Sequence, residues 1–268
     1  MTATISVNTL KQYKTEGNKI ACLTAYDASF AKLLDEAGVD VLLVGDSLGM
    51  VVQGKETTLP VTVDEMIYHT SLVRRGAPAA FIIVDMPFMS YATPELALEN
   101  AGRLMKETGA QMVKLEGGAV MVETVRTLAQ HSIPVCAHLG LLPQSVHKLG
   151  GYHVQGREEQ AAKAILEDAL ALEEAGADVL ILECVPTELA RQITHALKIS
   201  TIGIGAGPDC DGQVLVLYDM LAITPGKRPR FTKDFLQDSG SIPQAIRAFV
   251  DAVKTGSFPE SEHSFFNQ

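Results

Sequence analysis

Five short apolar runs in this chain end in side chains that can do chemistry. "VLLVG" leads to Asp46 and Ser47, "AFIIV" to Asp85, "QMV" to Lys114 and Glu116, "IPVCA" to His138, and "DVLIL" to Glu183. Brought together in a low-dielectric space, four carboxylates repel one another unless a cation or a proton intervenes. A metal ion resolves that repulsion. Asp46, Asp85 and Glu116 are hard oxygen donors, with no cysteine among them and no HExxH histidine pair, so Mg2+ is favoured over Zn2+. Mg2+ keeps several waters, which leaves coordination positions for a chelating substrate, and Ser47 is placed to hydrogen-bond whatever the metal holds. Taken singly, each acid reads as a helix cap or a solvated group. The set is harder to explain that way. For His138, a satisfied structural histidine and a ligand contact are both open.

The positions of these residues depend on a repeated unit of strand and helix. Eight apolar runs begin at Ile20, Val41, Ala80, Gln111, Ile133, Asp178, Ser200 and Val214, the last reading "VLVLYDML". Most are separated by segments of helical period. In "TVDEMIYHTSLVRRG", Thr62 and Glu65 have capping-box spacing; in "TPELALENAGRLMKETGA", Thr93 is the expected N-cap and Pro94 the first helical residue. Eight alternations in 268 residues predict a single-domain (β/α)8 barrel, whose chemistry sits at the C-terminal ends of its strands. "PDCDGQ" is too short for a full helix between the seventh and eighth strands. The first 19 residues are expected to form a short helix closing the barrel bottom. "SIPQAIRAFVDAVKTG" predicts a terminal helix with Ser241 and Gln244 as capping box and Gly256 as stop. Strand alternation puts Lys114 and Glu116 on one side, with Lys114 a layer deeper in the mouth.

Composition narrows the partners. Hydrophobic residues at 47% and charged residues at 20% suit a folded globular chain, and no run approaches the ~18 apolar residues of a membrane span. With no apolar signal segment near the start, the expected location is intracellular. A net charge of −10 opposes binding to phosphate backbones, so nucleic acid is not an expected partner. Cys22, Cys136, Cys184 and Cys210 lack metal-ligand or disulfide spacing and read as buried free thiols. "GIGAG" (Gly203–Gly207) lacks the third glycine of a dinucleotide loop and reads as a tight turn. The long link Leu139–Arg157 is either a lid over the site or a surface excursion. "GKRPR" (Gly226–Arg230) either receives an anionic ligand tail or is a solvated loop.

Several stretches resemble the ketopantoate hydroxymethyltransferase family: "TAYD", "VGDSLGM", "TLPVT", "RRGAP", "MPFMSYATPE", "VKLEGG", "HLGLLPQS", "GGYHVQGR", "LECVP", "GIGAG" with "DGQVLV", and "EHSF". The resemblance spans nearly the whole chain. It implies a cytoplasmic, Mg2+-dependent (β/α)8 barrel, homodecameric in bacteria. The implied reaction moves a one-carbon unit from 5,10-methylenetetrahydrofolate to 3-methyl-2-oxobutanoate, giving 2-dehydropantoate for pantothenate synthesis. Carried over by motif, Asp46, Asp85 and Glu116 match the metal positions. Asp46, Ser47, Asp85, Lys114 and His138 match the oxoacid contacts, and Glu183 matches the general base. An ordinary glutamate is a weak base, so burial of Glu183 in an apolar strand is expected to raise its pKa. Two rivals stand beside this reading: a metal-dependent 2-oxoacid aldolase or lyase on the same barrel, resembling the isocitrate lyase group, and a non-catalytic oxoacid sensor.

Overall fold

The computed structural model describes residues 5–226 and 228–267. Lys227 of the basic cluster and the first four residues lie outside them. The strands are β1 (Ile20–Thr24), β2 (Val41–Val44), β3 (Phe81–Asp85), β4 (Met112–Glu116), β5 (Val135–Gly140), β6 (Val179–Glu183), β7 (Ser200–Ile204) and β8 (Gly212–Leu215). Their residues are almost all buried, which is why they read as unbroken apolar runs and not as alternating ones. They pair in parallel in chain order, and β8 closes onto β1. The fold is the expected (β/α)8 barrel.

Local signals start and stop the helices as the sequence predicts in most places. Thr62 and Glu65 form the capping box of helix Val63–Gly76, and Thr93 caps helix Pro94–Thr108, which ends at Gly109 in the left-handed region. The barrel bottom is closed by helix Val7–Glu16. Ser200 Oγ, at the start of β7, donates to Leu10 O at 2.8 Å, and Lys14 Nζ pairs with Asp211 just before β8 at 2.7 Å. Helix Ile242–Thr255 packs on β1 and stops at Gly256.

Three expectations at element ends need correction. The eighth strand begins at Gly212 and ends at Leu215, and Leu217–Met220 is a single helical turn. Gly212 fits there because an added Cβ would meet Ile20 O at 2.5 Å, and the Leu217 N–H turns away to Thr24 Oγ1 at 2.9 Å. The Ser241–Gln244 capping box does not form. Ser241 Oγ donates to Gln244 Oε1, so neither side chain reaches the backbone. The fifth strand starts at Val135, two residues after Ile133. No helix separates β7 from β8, as the short link requires.

Candidate active site

Strand register decides which side chains meet. Asp85 is level with Lys114 across β3 and β4, and Glu116 is level with His138 across β4 and β5. Side chains at paired positions share a face, so two oppositely charged pairs form at the C-terminal end of the barrel. Lys114 Nζ lies 2.7 Å from Asp85 Oδ1, and His138 Nδ1 lies 3.4 Å from Glu116 Oε1. One strand further, Glu183 Oε2 is 3.2 Å from His138 Nε2. Neither His138 contact has hydrogen-bond geometry. They are close charge contacts between buried groups.

None of the strand-end acids caps a helix. Asp46 Oδ2 accepts from Gln144 Nε2 at 2.8 Å, Asp85 Oδ2 accepts from the Asp46 N–H at 3.0 Å, and Glu116 Oε2 accepts from the Gln144 N–H at 3.1 Å. Ser47 precedes the short helix Leu48–Val51 but gives it no side-chain cap; its hydroxyl is 2.8 Å from that of Tyr26. All seven residues named from the sequence, Asp46, Ser47, Asp85, Lys114, Glu116, His138 and Glu183, therefore line one cavity of about 900 Å3.

The electrostatics follow from burial and neighbours. Burial works against the Lys114 charge, but Asp85, Glu116 and Asp46 hold its pKa above the ordinary lysine value. Burial and Lys114 also oppose a charged His138; Glu116 and Glu183 outweigh them and push it up to about 9. Glu116 is kept below its ordinary value despite burial, through His138, Lys114 and the Gln144 N–H. Asp46 goes the other way, well above the carboxylate range, because burial is reinforced by Asp85 and Glu116.

That imbalance bears on the metal. Four carboxylates, Asp46, Asp85, Glu116 and Glu183, face two cations, Lys114 and His138, so full ionisation of the acids would leave two negative charges for a divalent ion to neutralise. Asp46, the acid that burial and its neighbours keep from ionising, gains most from such an ion, and the all-oxygen donor set fits Mg2+. The three acids do not close on a single point. Among the described residues, the cluster with all ligand atoms within 4.8 Å is Glu260, Glu262 and His263, away from this cavity. An ion that keeps part of its water shell is the kind these spacings admit.

Glu183 is set differently from the sequence expectation. Its side chain is 14% exposed to the cavity and beside His138, not sealed in an apolar strand. The next residue, Cys184, has φ 47, uncommon outside glycine, and its neighbours fix it: Leu141 N–H binds Glu183 O, Cys184 N–H binds Ile204 O, and Gln155 N–H binds Cys184 O. Gly140 has no side chain for the same reason, since a Cβ would meet Glu183 O at 2.1 Å. The backbone carrying this glutamate is held from both sides.

The sequence reading missed Gln144 and the two tyrosines. Gln144, in a 3-10 turn Pro143–Ser145, also donates to Met86 O at 3.0 Å and accepts from the Tyr91 hydroxyl. "LLPQS" carries no periodicity that marks an inward turn. The Leu139–Arg157 link is not a surface excursion: Leu141, Pro143, Tyr152 and Val154 form a wall of the cavity. Arg228 and Arg230 of the basic cluster also line it, so that loop faces the site. The cysteines are buried and free, as expected. No helix among the described residues is long and apolar enough to cross a membrane.

Comparison with known proteins adds independent evidence. The profile of ketopantoate hydroxymethyltransferase matches residues 4–261. The 3-methyl-2-oxobutanoate hydroxymethyltransferase of Alkalilimnicola ehrlichii is 61% identical over 264 residues, covering 98% of this chain and 95% of the relative. That of Nitrosococcus oceani is 62% identical over 261 residues, covering 97% and 99%. Among solved structures, a phosphonopyruvate hydrolase in complex with oxalate and Mg2+ superposes with TM-score 0.63 over 97% of this chain and 93% of its own. Its 12% identity makes it evidence for the barrel fold alone. With near-complete coverage on both sides at about three-fifths identity, the chain belongs to the ketopantoate hydroxymethyltransferase family.

Proposed function

We propose that this enzyme transfers a hydroxymethyl group from 5,10-methylenetetrahydrofolate to 3-methyl-2-oxobutanoate, giving 2-dehydropantoate, with Glu183 as the base. The observation that carries the mechanism is Glu183 at the end of β6, open to the cavity and 3.2 Å from a buried His138. Asp46, Asp85 and Glu116 would hold Mg2+, which when bound polarises the oxoacid's carboxylate and ketone oxygens and lowers the cost of forming its enolate.

The chain's own groups do the rest. Ser47, its hydroxyl oriented by Tyr26, hydrogen-bonds the oxoacid. Glu183 takes the proton from C3 of the oxoacid, and His138 Nε2, 3.2 Å from its carboxylate, holds a positive charge beside the base. Lys114, held charged by Asp85, favours the negative charge that moves onto the enolate oxygen. The C3 carbanion equivalent then forms a bond to the bridging methylene carbon as the first of its two C–N bonds breaks, and water displaces the second nitrogen and supplies the hydroxyl; each of the two folate nitrogens takes one proton, one from Glu183 and one from that water. Leu141, Pro143 and Tyr152 limit further water at this stage. A homodecamer in the cytoplasm is part of the same reading and rests on the family resemblance; sedimentation of the purified protein tests the assembly.

The mechanism is tested by proton NMR of 3-methyl-2-oxobutanoate in D2O with protein and Mg2+. Loss of the C3 hydrogen signal, abolished by a chelator, is expected for the wild type. Glu183→Gln should bind the oxoacid with affinity within about threefold of wild type and exchange at least ~100-fold more slowly, in the range typical for a general base. Wild-type exchange in this variant overturns the base assignment.

A further inference from the structure

The three acids assigned to the metal share one buried support. Gln144 donates to Asp46 Oδ2 through its amide and to Glu116 Oε2 through its backbone N–H, and Asp85 Oδ2 is tied to the same group through the Asp46 N–H. Behind Gln144 stands Tyr91, which the mechanism does not use. Its phenol oxygen accepts from the Glu116 N–H at 3.3 Å, and its hydroxyl donates to Gln144 Oε1. Tyr91 and Gln144 are 8% and 6% exposed, and neither is among the residues lining the cavity. Both act on the chemistry through the residues they hold.

The fold delivers Tyr91 to this place from the loop between β3 and helix Pro94–Thr108. Met89 turns that loop with φ 64, and Asn100 Nδ2 donates to Ser90 O at 2.7 Å, which fixes the residue before the tyrosine. The phenol then spans from β3 past the end of β4 to the turn after β5 that carries Gln144. A glutamine amide has a donor end and an acceptor end of similar size, so its partners must decide which way it faces. Here backbone groups of fixed polarity decide it. The Glu116 N–H can only donate, so the Tyr91 proton is directed away from it, to Gln144 Oε1. Met86 O can only accept, so the other end of the amide is the NH2, which also meets Asp46. A reversed amide would set its oxygen against Asp46 Oδ2 and Met86 O.

We propose that Tyr91 is a positioning residue for the metal acids: acting through Gln144, it fixes the rotation of Asp46 and Glu116 and so makes the site select a small octahedral cation over a larger one. The inference rests on the divalent-metal reading above. Outer hydrogen bonds to ligating carboxylates are typically worth about 10- to 100-fold in metal affinity. Mg2+ demands a near-ideal octahedron, whereas Ca2+ accepts about 6–8 oxygens in a looser shell. Without the phenol hydroxyl, one end of the Gln144 amide is unheld and the Glu116 N–H is unpaired. The acids regain rotation, and the loss falls on the ion that depends most on their angles.

The test is titration calorimetry of Mg2+ and, separately, of Ca2+ into the purified protein without substrate. Tyr91→Phe keeps the ring and its packing, and should weaken Mg2+ by about 10-fold while leaving Ca2+ within about threefold of wild type. Gln144→Met should weaken Mg2+ as well, and adding Tyr91→Phe to it should cost less than about twofold more, because two residues acting as one unit are not additive. Wild-type Mg2+ affinity in Tyr91→Phe overturns the inference. Equal weakening of both ions also overturns it, since general loosening of the fold does not discriminate between them. Additive losses in the double variant show that Tyr91 does not act through Gln144 and overturn it too. In each of these cases the metal reading stands; a wild type that binds neither ion overturns both.

Discussion

Gln144 shows how one side chain can set the state of a site. Its amide donates to Asp46 and to Met86 O, its own N–H donates to Glu116, and its carbonyl accepts from Tyr91. Replacing it with leucine, similar in size but without hydrogen-bonding groups, leaves a buried carboxylate and a buried carbonyl unpaired. Each such loss costs about 1–3 kcal/mol. Asp46, already forced upward by burial, moves further from ionisation. Gln144→Leu is therefore expected to be about 2 kcal/mol less stable in urea, and to need several-fold more Mg2+ for half-maximal C3-hydrogen exchange. Lower stability with an unchanged Mg2+ requirement would mean that Gln144 serves packing alone. The strand-end acids were legible in the sequence because a carboxylate at the end of an apolar run is conspicuous. Gln144 was not, because its role depends on a turn that brings residue 144 next to residues 46 and 116.

At the scale of elements, the caps that formed and the one that did not differ in where their side chains point. Glu65 reaches back to the Thr62 N–H at 2.7 Å, and that bond comes first among the contacts holding its pKa below the ordinary value. Ser241 and Gln244 have the same spacing and bond only each other. A depressed native pKa means that the contribution of Glu65 is present above its unfolded pKa of about 4.3 and is lost as pH falls through the native value. Glu65→Ala should cost about 1 kcal/mol at pH 7, and the gap to wild type should narrow in acid. A gap independent of pH would show that the carboxylate does not act as the cap. The same contrast explains the shift of the last strand: "VLVLYDML" is apolar throughout, and pattern alone cannot say where pairing with β1 stops. The Thr24 hydroxyl, which takes the Leu217 N–H, stops it.

For the whole molecule, the barrel separates stability from chemistry along its axis. The bottom is held by helix Val7–Glu16, with Leu10 fully buried, and the top carries the charged groups. Leu10→Ala should cost about 2–5 kcal/mol in urea unfolding while leaving the C3-hydrogen exchange rate at 25 °C within twofold of wild type. A matching fall in exchange would show that the two ends are coupled. The sequence by itself determined the barrel, its eight strands and the seven residues of the acidic arc, because apolar runs, cap signals and strand-end positions are local and repeat with the period of the fold. Tertiary structure alone decided that Asp85 meets Lys114 and Glu116 meets His138, that Gln144 binds Asp46, and that Asp219 and Arg228 share a wall of the same cavity. Those contacts join residues from separate strands and loops. They are fixed by register and by the closing of β8 onto β1, which no window of sequence contains.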